Sequence, residues 1–128
     1  MQIMFLIPFV VVAVLMAVIF GFREMSQWKR VVDISSPVPS PQRFEVSYLN
    51  NAIINGFQFN GTMKIGVGDE RLFLQPIFPF SMVMAPAYIS LKLLKPLDKT
   101  KNGLHIFAIE GTNLTIGISE RWRSKVLS

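Results

Sequence analysis

The sequence contains no cysteine and only one histidine, His105. The lack of cysteine excludes disulfide bonds, thiolate nucleophiles, zinc fingers and iron–sulfur clusters. Without a second histidine or any thiolate, His105 cannot build an ordinary transition-metal site, and we interpret it as a structural side chain in a β-strand. We therefore predict that the protein binds neither a metal ion nor a cofactor.

Charge is also sparse, since 16% of the residues are charged and the net charge is +5. A nucleic-acid-binding protein would show a dense Lys/Arg stripe or a stacking motif with interleaved aromatic residues, and neither is present, so nucleic acid is excluded as a partner. The sequence also lacks a nucleophile elbow, a phosphate-binding glycine loop and a His–carboxylate arrangement. Four acidic residues fall in or beside predicted turns, where they are usually solvated: Asp69, Glu70, Asp98 and Glu110. We therefore predict that the protein is not an enzyme.

Apolar sequence, in contrast, is abundant at the beginning of the chain. Residues 3–22, IMFLIPFVVVAVLMAVIFGF, carry no charged or hydrogen-bonding side chain, and fourteen of the twenty are Leu, Ile, Val or Phe. A helix of this length rises about 30 Å, which matches the hydrocarbon thickness of a bilayer. Its insertion is favourable by about 4 to 8 kcal/mol. The run predicts a transmembrane helix, with the lipid bilayer as a partner.

The flanks of this run indicate its orientation. Arg23, Lys29 and Arg30 follow it, and positively charged flanks stay on the cytoplasmic side. Because there is no basic region before the run and no small-residue cleavage site after it, we interpret it as an uncleaved signal anchor. The predicted location is the inner (plasma) membrane, with a single pass, the N-terminus outside and the C-terminal domain in the cytoplasm.

Helical spacing continues beyond the apolar run, where Met25, Trp28 and Val32 recur at intervals of three and four residues. This spacing predicts that the helix runs on past the membrane surface with Trp28 at headgroup level. Basic residues beside it would meet lipid phosphates, or would be only a topology signal. The predicted membrane-interface residues are Arg23, Trp28, Lys29 and Arg30.

A change of composition then marks a boundary. Residues 35–43, SSPVPSPQR, alternate proline with small residues, a pattern that favours an extended polyproline conformation over a helix. The predicted organisation is an anchor with a juxtamembrane helix in residues 1–34, a Pro/Ser linker in residues 35–43 and a cytoplasmic β domain in residues 44–128. The alternative for the linker is a loop packed on the domain.

The remaining sequence has the pattern of short β-strands. Asn-Gly dipeptides, which tolerate the positive φ of tight hairpins, predict three turns, at Asn55-Gly56, Asn60-Gly61 and Asn102-Gly103. Alternating apolar residues predict strands over residues 63–67, 72–74 and 89–93, and a last hairpin over 104–109 and 114–118. No helical stretch supports parallel crossovers, so we expect an antiparallel sheet.

The last residues, SERWRSKVL, predict a short helix that closes an open side of the sheet. Ser119 is at the N-cap position, and Trp122 and Val126 are one turn apart on one face. The predicted fold class is mainly β, with one N-terminal transmembrane helix and a small antiparallel, partly open β-barrel closed by this C-terminal helix.

The order of these elements resembles that of the pleckstrin-homology-like superfamily, most closely its small GRAM-type members. The resemblance covers residues 56–127 and rests on RLFLQP after the turn, on Ala85-Pro86 with Ile89, on YISLKLLKPL and on GLHIFAIEGTNLTIGIS. It implies a partly open barrel of two antiparallel sheets that binds lipid headgroups or proteins and has no catalytic activity. Phosphoinositide-binding members concentrate Lys and Arg in the first hairpin, whereas this sequence has only Lys64 there.

Two segments are candidate contact sites. The first, KLLKPLDKTK, concentrates Lys92, Lys95, Lys99 and Lys101 against a single acid, Asp98. These lysines could contact an anionic lipid surface or an acidic partner. The alternative is a solvated loop that keeps the domain soluble.

The second segment is PIFPFSMVMAP, residues 76–86, whose large apolar residues stand among three prolines without alternation. It is either buried on both sides or an exposed apolar loop that docks on a membrane or another subunit. The predicted contact residues are Ile77, Phe78, Phe80, Met82 and Met84.

These features lead to two functional hypotheses. The first is a non-enzymatic accessory or scaffold subunit whose cytoplasmic domain packs against other membrane protein subunits. The second is a membrane-tethered module that binds anionic lipid headgroups through its lysines.

Overall fold

A computed structural model describes residues 2–35, 45–68 and 70–128. These residues form three α-helices and seven β-strands: α1 (Gln2–Met25), α2 (Trp28–Asp33), β1 (Glu45–Ile54), β2 (Phe57–Gly68), β3 (Arg71–Pro76), β4 (Ala87–Ser90), β5 (Leu94–Lys101), β6 (Leu104–Ile109), β7 (Thr115–Ile118) and α3 (Glu120–Leu127). Short 3-10 turns occur at Phe80–Met82 and Leu91–Leu93. The predicted linker lies outside the described residues except for Ser35.

The seven strands form one open antiparallel sheet in the order β4-β3-β2-β1-β7-β6-β5. The prediction of a mainly β, antiparallel fold with an N-terminal apolar helix and a C-terminal helix is confirmed. The two edge strands, β4 and β5, are consecutive in the chain and are joined by the three residues of the Leu91–Leu93 turn. The two edges of the sheet are therefore close together at this connection.

Two of the three Asn-Gly dipeptides form the predicted hairpin turns. In both turns the two residues have positive φ, 52° and 83° at Asn55-Gly56 and 52° and 77° at Asn102-Gly103. The third prediction is wrong, because Asn60-Gly61 lies inside β2. There the register shifts and the Gly61 N–H donates to Asn51 Oδ1 at 2.6 Å, so its positive φ serves a bulge rather than a turn.

The path between β4 and β5 also differs from the prediction. A strand was expected over residues 89–93, but β4 ends at Ser90 and the next three residues form a 3-10 turn. The Leu91 N–H donates to Glu70 O at 2.9 Å, which joins the start of this turn to the connection between β2 and β3. The following segment, interpreted as a basic loop, forms β5, a strand whose side chains are exposed after Leu94.

The helix α3 forms as predicted and supplies Trp122 and Val126 to the core. It packs on β2 and β6, and Trp122 Nε1–H donates to Asn50 Oδ1 at 3.1 Å. Ser119 is the N-cap residue, but its hydroxyl makes no capping hydrogen bond. Its carbonyl instead accepts the N–H groups of Trp122 and Arg123.

The first helix, α1, is largely uncovered by the rest of the protein. One stretch of it, Leu6–Met25, is long and apolar enough to span a membrane. Most of its large side chains between Leu6 and Phe20 are exposed, whereas Ile19 is only 1% exposed. The uncovered apolar stretch of α1 therefore extends to Phe20, and Met25 at the end of the helix is exposed as well.

Candidate functional site

The junction between the apolar helix and the sheet begins at a break in the helix. α1 ends at Met25, and Gln27 adopts a left-handed conformation with φ of 54° before α2 starts. Ser26 is fully buried, and its Oγ donates to Phe22 O at 2.6 Å. The predicted continuous helix is therefore interrupted at residues 26–27, where a polar side chain satisfies the end of α1.

The first hairpin turn of the sheet holds this break in place. Asn55 Nδ2 donates to Ser26 O at 2.6 Å, while Asn55 Oδ1 accepts the Thr115 N–H at 2.8 Å. One side chain thus joins the end of α1, the β1–β2 turn and the start of β7. Its bonds satisfy backbone groups that would otherwise be unpaired at the edge of the core.

Trp28 was predicted to lie at the membrane headgroups, but the structure places it inside the protein. Its side chain is 1% exposed and belongs to the same buried cluster as the inward-facing residues of the strands. The indole N–H donates to Ala85 O at 2.7 Å. Val31, one turn further along α2, is fully buried in the same cluster. α2 is therefore a structural part of the β domain.

The polar face of α2 is also tied to the domain. Arg30 donates one hydrogen bond to Gln27 Oε1 and another to Asn113 Oδ1, each at 2.6 Å. Just after α2, Ser35 Oγ accepts the Tyr88 N–H of β4 at 2.7 Å. Arg30, predicted to meet lipid phosphates, is thus bonded within the protein.

The other two basic residues predicted at the membrane interface differ from Arg30. Lys29 is exposed on α2. Arg23 is half-buried on α1, where its Nη1 lies 3.8 Å from the exposed Glu24 carboxylate. Of the four residues predicted at the membrane interface, Trp28 is therefore buried in the protein, Arg30 and Arg23 contact other side chains, and Lys29 is exposed.

An aromatic cluster completes the junction. The Phe22 ring is stacked on Phe80 with centroids 4.7 Å apart, and it makes edge contacts with Phe57 at 4.8 Å and Phe59 at 5.6 Å. Such pairs contribute about 0.5 to 1.5 kcal/mol each beyond their buried area. The sequence did not single out Phe22, because within an apolar run it is indistinguishable from a lipid-facing residue.

The segment of residues 76–86 was predicted to be either buried on both sides or an exposed apolar loop, and it is partly each. Met84 is fully buried in the core, Phe80 packs on Phe22, and Ile77 is half-buried with its N–H donating to Thr62 O at 2.8 Å. Phe78 and Met82 are 73% and 62% exposed. The segment therefore joins core, helix and outer surface, and neither alternative describes all of it.

The four lysines of the basic segment lie on an exposed edge. Lys95, Lys99 and Lys101 belong to β5, and Lys92 is on the preceding 3-10 turn. The Lys95 ammonium lies 3.6 Å from the Glu110 carboxylate, with both side chains more than half exposed. Lysines on an edge strand hinder pairing with another sheet. This role accounts for the lysines without a ligand.

The expectation that the chain has no His–carboxylate arrangement is wrong, because His105 contacts a carboxylate from α3. Its Nε2 lies 2.8 Å from Glu120 Oε2, and Arg123 Nη1 lies 3.2 Å from the other oxygen of the same carboxylate. Within the described ranges, no group of three or more His, Asp or Glu side chains is placed to hold a metal ion.

Comparisons of the chain with family models, with characterised proteins and with solved structures find no match. The pleckstrin-homology-like resemblance therefore stays a prediction. The candidate site is defined by its own contacts, namely the residues that join α1 and α2 to the sheet: Phe22, Ser26, Trp28, Val31, Asn55, Phe57, Phe59 and Phe80.

Proposed function

We propose that this protein is a single-pass, non-enzymatic accessory or scaffold subunit of a larger membrane protein complex. In this proposal α1 spans the inner membrane with its N-terminus outside, and the β domain lies on the cytoplasmic face. The observation that carries the proposal is the docked junction, in which Phe22 of α1 and the apolar face of α2 pack into the domain.

A docked domain differs physically from a tethered one. Phe22 is held by three aromatic rings, and Trp28 is buried and hydrogen-bonded. The domain therefore keeps one orientation relative to the helix, so that a partner could contact both surfaces at once. A partner that contacts two rigidly joined surfaces loses less entropy on binding than one that must also immobilise a hinge.

The outer surface of α1 suits packing among other helices or lipid. Its exposed side chains between Leu6 and Phe20 are apolar. Intramembrane transport and proton relays normally use ionisable groups, and residues 3–22 contain none. The helix is thus suited to placing the domain and to helix–helix contact.

The fold proposed for the domain is a partly open barrel of the pleckstrin-homology-like type. Support comes from the sheet order, in which the two edge strands, β4 and β5, are joined by only three residues. Further support comes from α2, whose end reaches β4 through Ser35 and whose middle reaches Asn113, beside the start of β7, through Arg30. In the proposed barrel, α2 covers an opening of the curled sheet.

Binding of anionic lipid headgroups by Lys92, Lys95, Lys99 and Lys101 is the less favoured alternative. The lysines lie along an exposed edge strand and its preceding turn, and Lys95 already faces Glu110. An edge strand of this composition is expected in a soluble domain whether or not it binds lipid.

The proposal is tested by extracting the protein at native abundance in mild detergent and measuring its size. We expect a species well above the 14.5 kDa chain plus bound detergent. Phe22→Ala, which removes the ring at the junction, is expected to weaken the assembly, whereas Tyr48→Ala, at a 64% exposed position of β1 outside the junction, serves as the matched control. A lone species of chain plus detergent would contradict the proposal.

A further inference from the structure

Ile19 is a buried residue near the end of the apolar helix. It is the fourth residue from the end of the apolar run, about 4.5 Å before Phe22 along the helix axis. At 1% exposure its side chain is enclosed by protein, and α1 contacts the 3-10 turn Phe80–Met82. If residues 3–22 span the bilayer, the atoms that enclose Ile19 lie at the depth of the last turn of the span.

Two exposed apolar side chains lie in and just before the same 3-10 turn, Met82 within it and Phe78 before it. Phe80 is stacked on Phe22, and Phe78 and Met82 are each two residues away from it along the chain. These two side chains are 73% and 62% exposed. Because Phe80 is fixed against the end of α1, its neighbours are also held near the end of the span.

We propose that Phe78 and Met82 insert into the lipid interface beside α1 and form a second membrane contact of the β domain. This inference rests on the proposed function, since it requires α1 to span the bilayer. It divides the predicted contact residues by role: Phe78 and Met82 face lipid, whereas Phe80 and Met84 hold the segment on α1 and on the core.

Continuity with α1 favours lipid as the occupant of this surface. The exposed apolar surface of α1 extends to Phe20, which is 40% exposed and lies two residues before Phe22. The segment of residues 76–86 contains no charged side chain. Its exposed residues therefore extend the apolar surface of the span, and Phe is among the residues that bury at the boundary between headgroups and acyl chains.

The absence of cysteine from the sequence allows a clean test with single introduced cysteines. The full-length variants Phe78→Cys and Met82→Cys are labelled with an environment-sensitive fluorophore and reconstituted in phosphatidylcholine vesicles. Quenching is measured with lipid-bound nitroxides and with aqueous iodide. Leu15→Cys, on the exposed part of α1, and Lys99→Cys, on the exposed edge strand, provide the lipid and water references.

We expect the labels at positions 78 and 82 to be quenched by lipid nitroxides several-fold more than the label at position 99, and to be protected from iodide. A water-like response at either position, with position 15 in lipid, overturns this inference and leaves the proposed function standing. Protection from iodide without lipid quenching means that protein covers the surface and also overturns it. A water-like response at position 15 overturns the proposed function itself.

Discussion

Replacing Trp28 with alanine is expected to lower the free energy of unfolding of the β domain by about 3 to 5 kcal/mol. The indole is 1% exposed, so the change leaves a cavity in the core, and it also leaves the Ala85 carbonyl without its donor. Domains of this kind are stable by about 5 to 15 kcal/mol, so the loss is a large part of the total. Denaturant unfolding in mild detergent, followed by the fluorescence of the buried Trp122, measures it.

Two further variants separate the contributions at this position. Trp28→Phe retains most of the buried volume and removes the hydrogen bond, so a smaller loss is expected. Lys29→Ala changes the exposed neighbour on the same helix and should alter stability by no more than about 0.5 kcal/mol. An effect of Trp28→Ala as small as that of Lys29→Ala would mean that the indole is not part of the core.

Removing α2 is expected to prevent the domain from folding. A chain of residues 44–128 matches the domain boundary predicted from the sequence, but it lacks Trp28 and Val31, both of which lie in the core cluster. The combined loss of about 5 to 8 kcal/mol is comparable with the whole stability of a small domain. We expect this chain to lack a cooperative unfolding transition and near-ultraviolet circular dichroism.

The matched chain for this experiment is residues 26–128, which lacks the whole of α1 but retains α2 and the Ser26 carbonyl bound by Asn55. It should unfold cooperatively. Equal unfolding midpoints for the two chains would contradict the inclusion of α2 in the domain.

The strands could be predicted where burial is one-sided. Met63 and Ile65 alternate with the less buried Thr62 and Lys64 in β2, and this alternation is visible in the sequence because one face of the strand packs on the core. β5 could not be predicted in this way. Its residues after Leu94 are exposed on both faces, so no apolar periodicity marks them.

Most residues of the candidate site could not be predicted from the sequence. A tryptophan that follows a transmembrane segment can face headgroups or a domain core, and the helical spacing is the same in both cases. Phe22 is one of many apolar residues in its run, and its contacts with Phe57, Phe59 and Phe80 arise only after the sheet has formed. Similarly, an Asn-Gly pair has the same local preference in a turn and in the bulge at Gly61.

The most direct measurement of the docked junction is the distance distribution between a spin label on α1 and a spin label on the β domain. Val11→Cys and Lys99→Cys place the labels at exposed positions in a chain that has no other cysteine. The pair Lys99→Cys and Ser124→Cys, within the domain, gives the width expected of a rigid body. A docked helix predicts one narrow distribution for the first pair, as narrow as that of the second. A broad distribution, as expected of a domain on a flexible linker, would contradict the docking of α1 and α2 on the sheet.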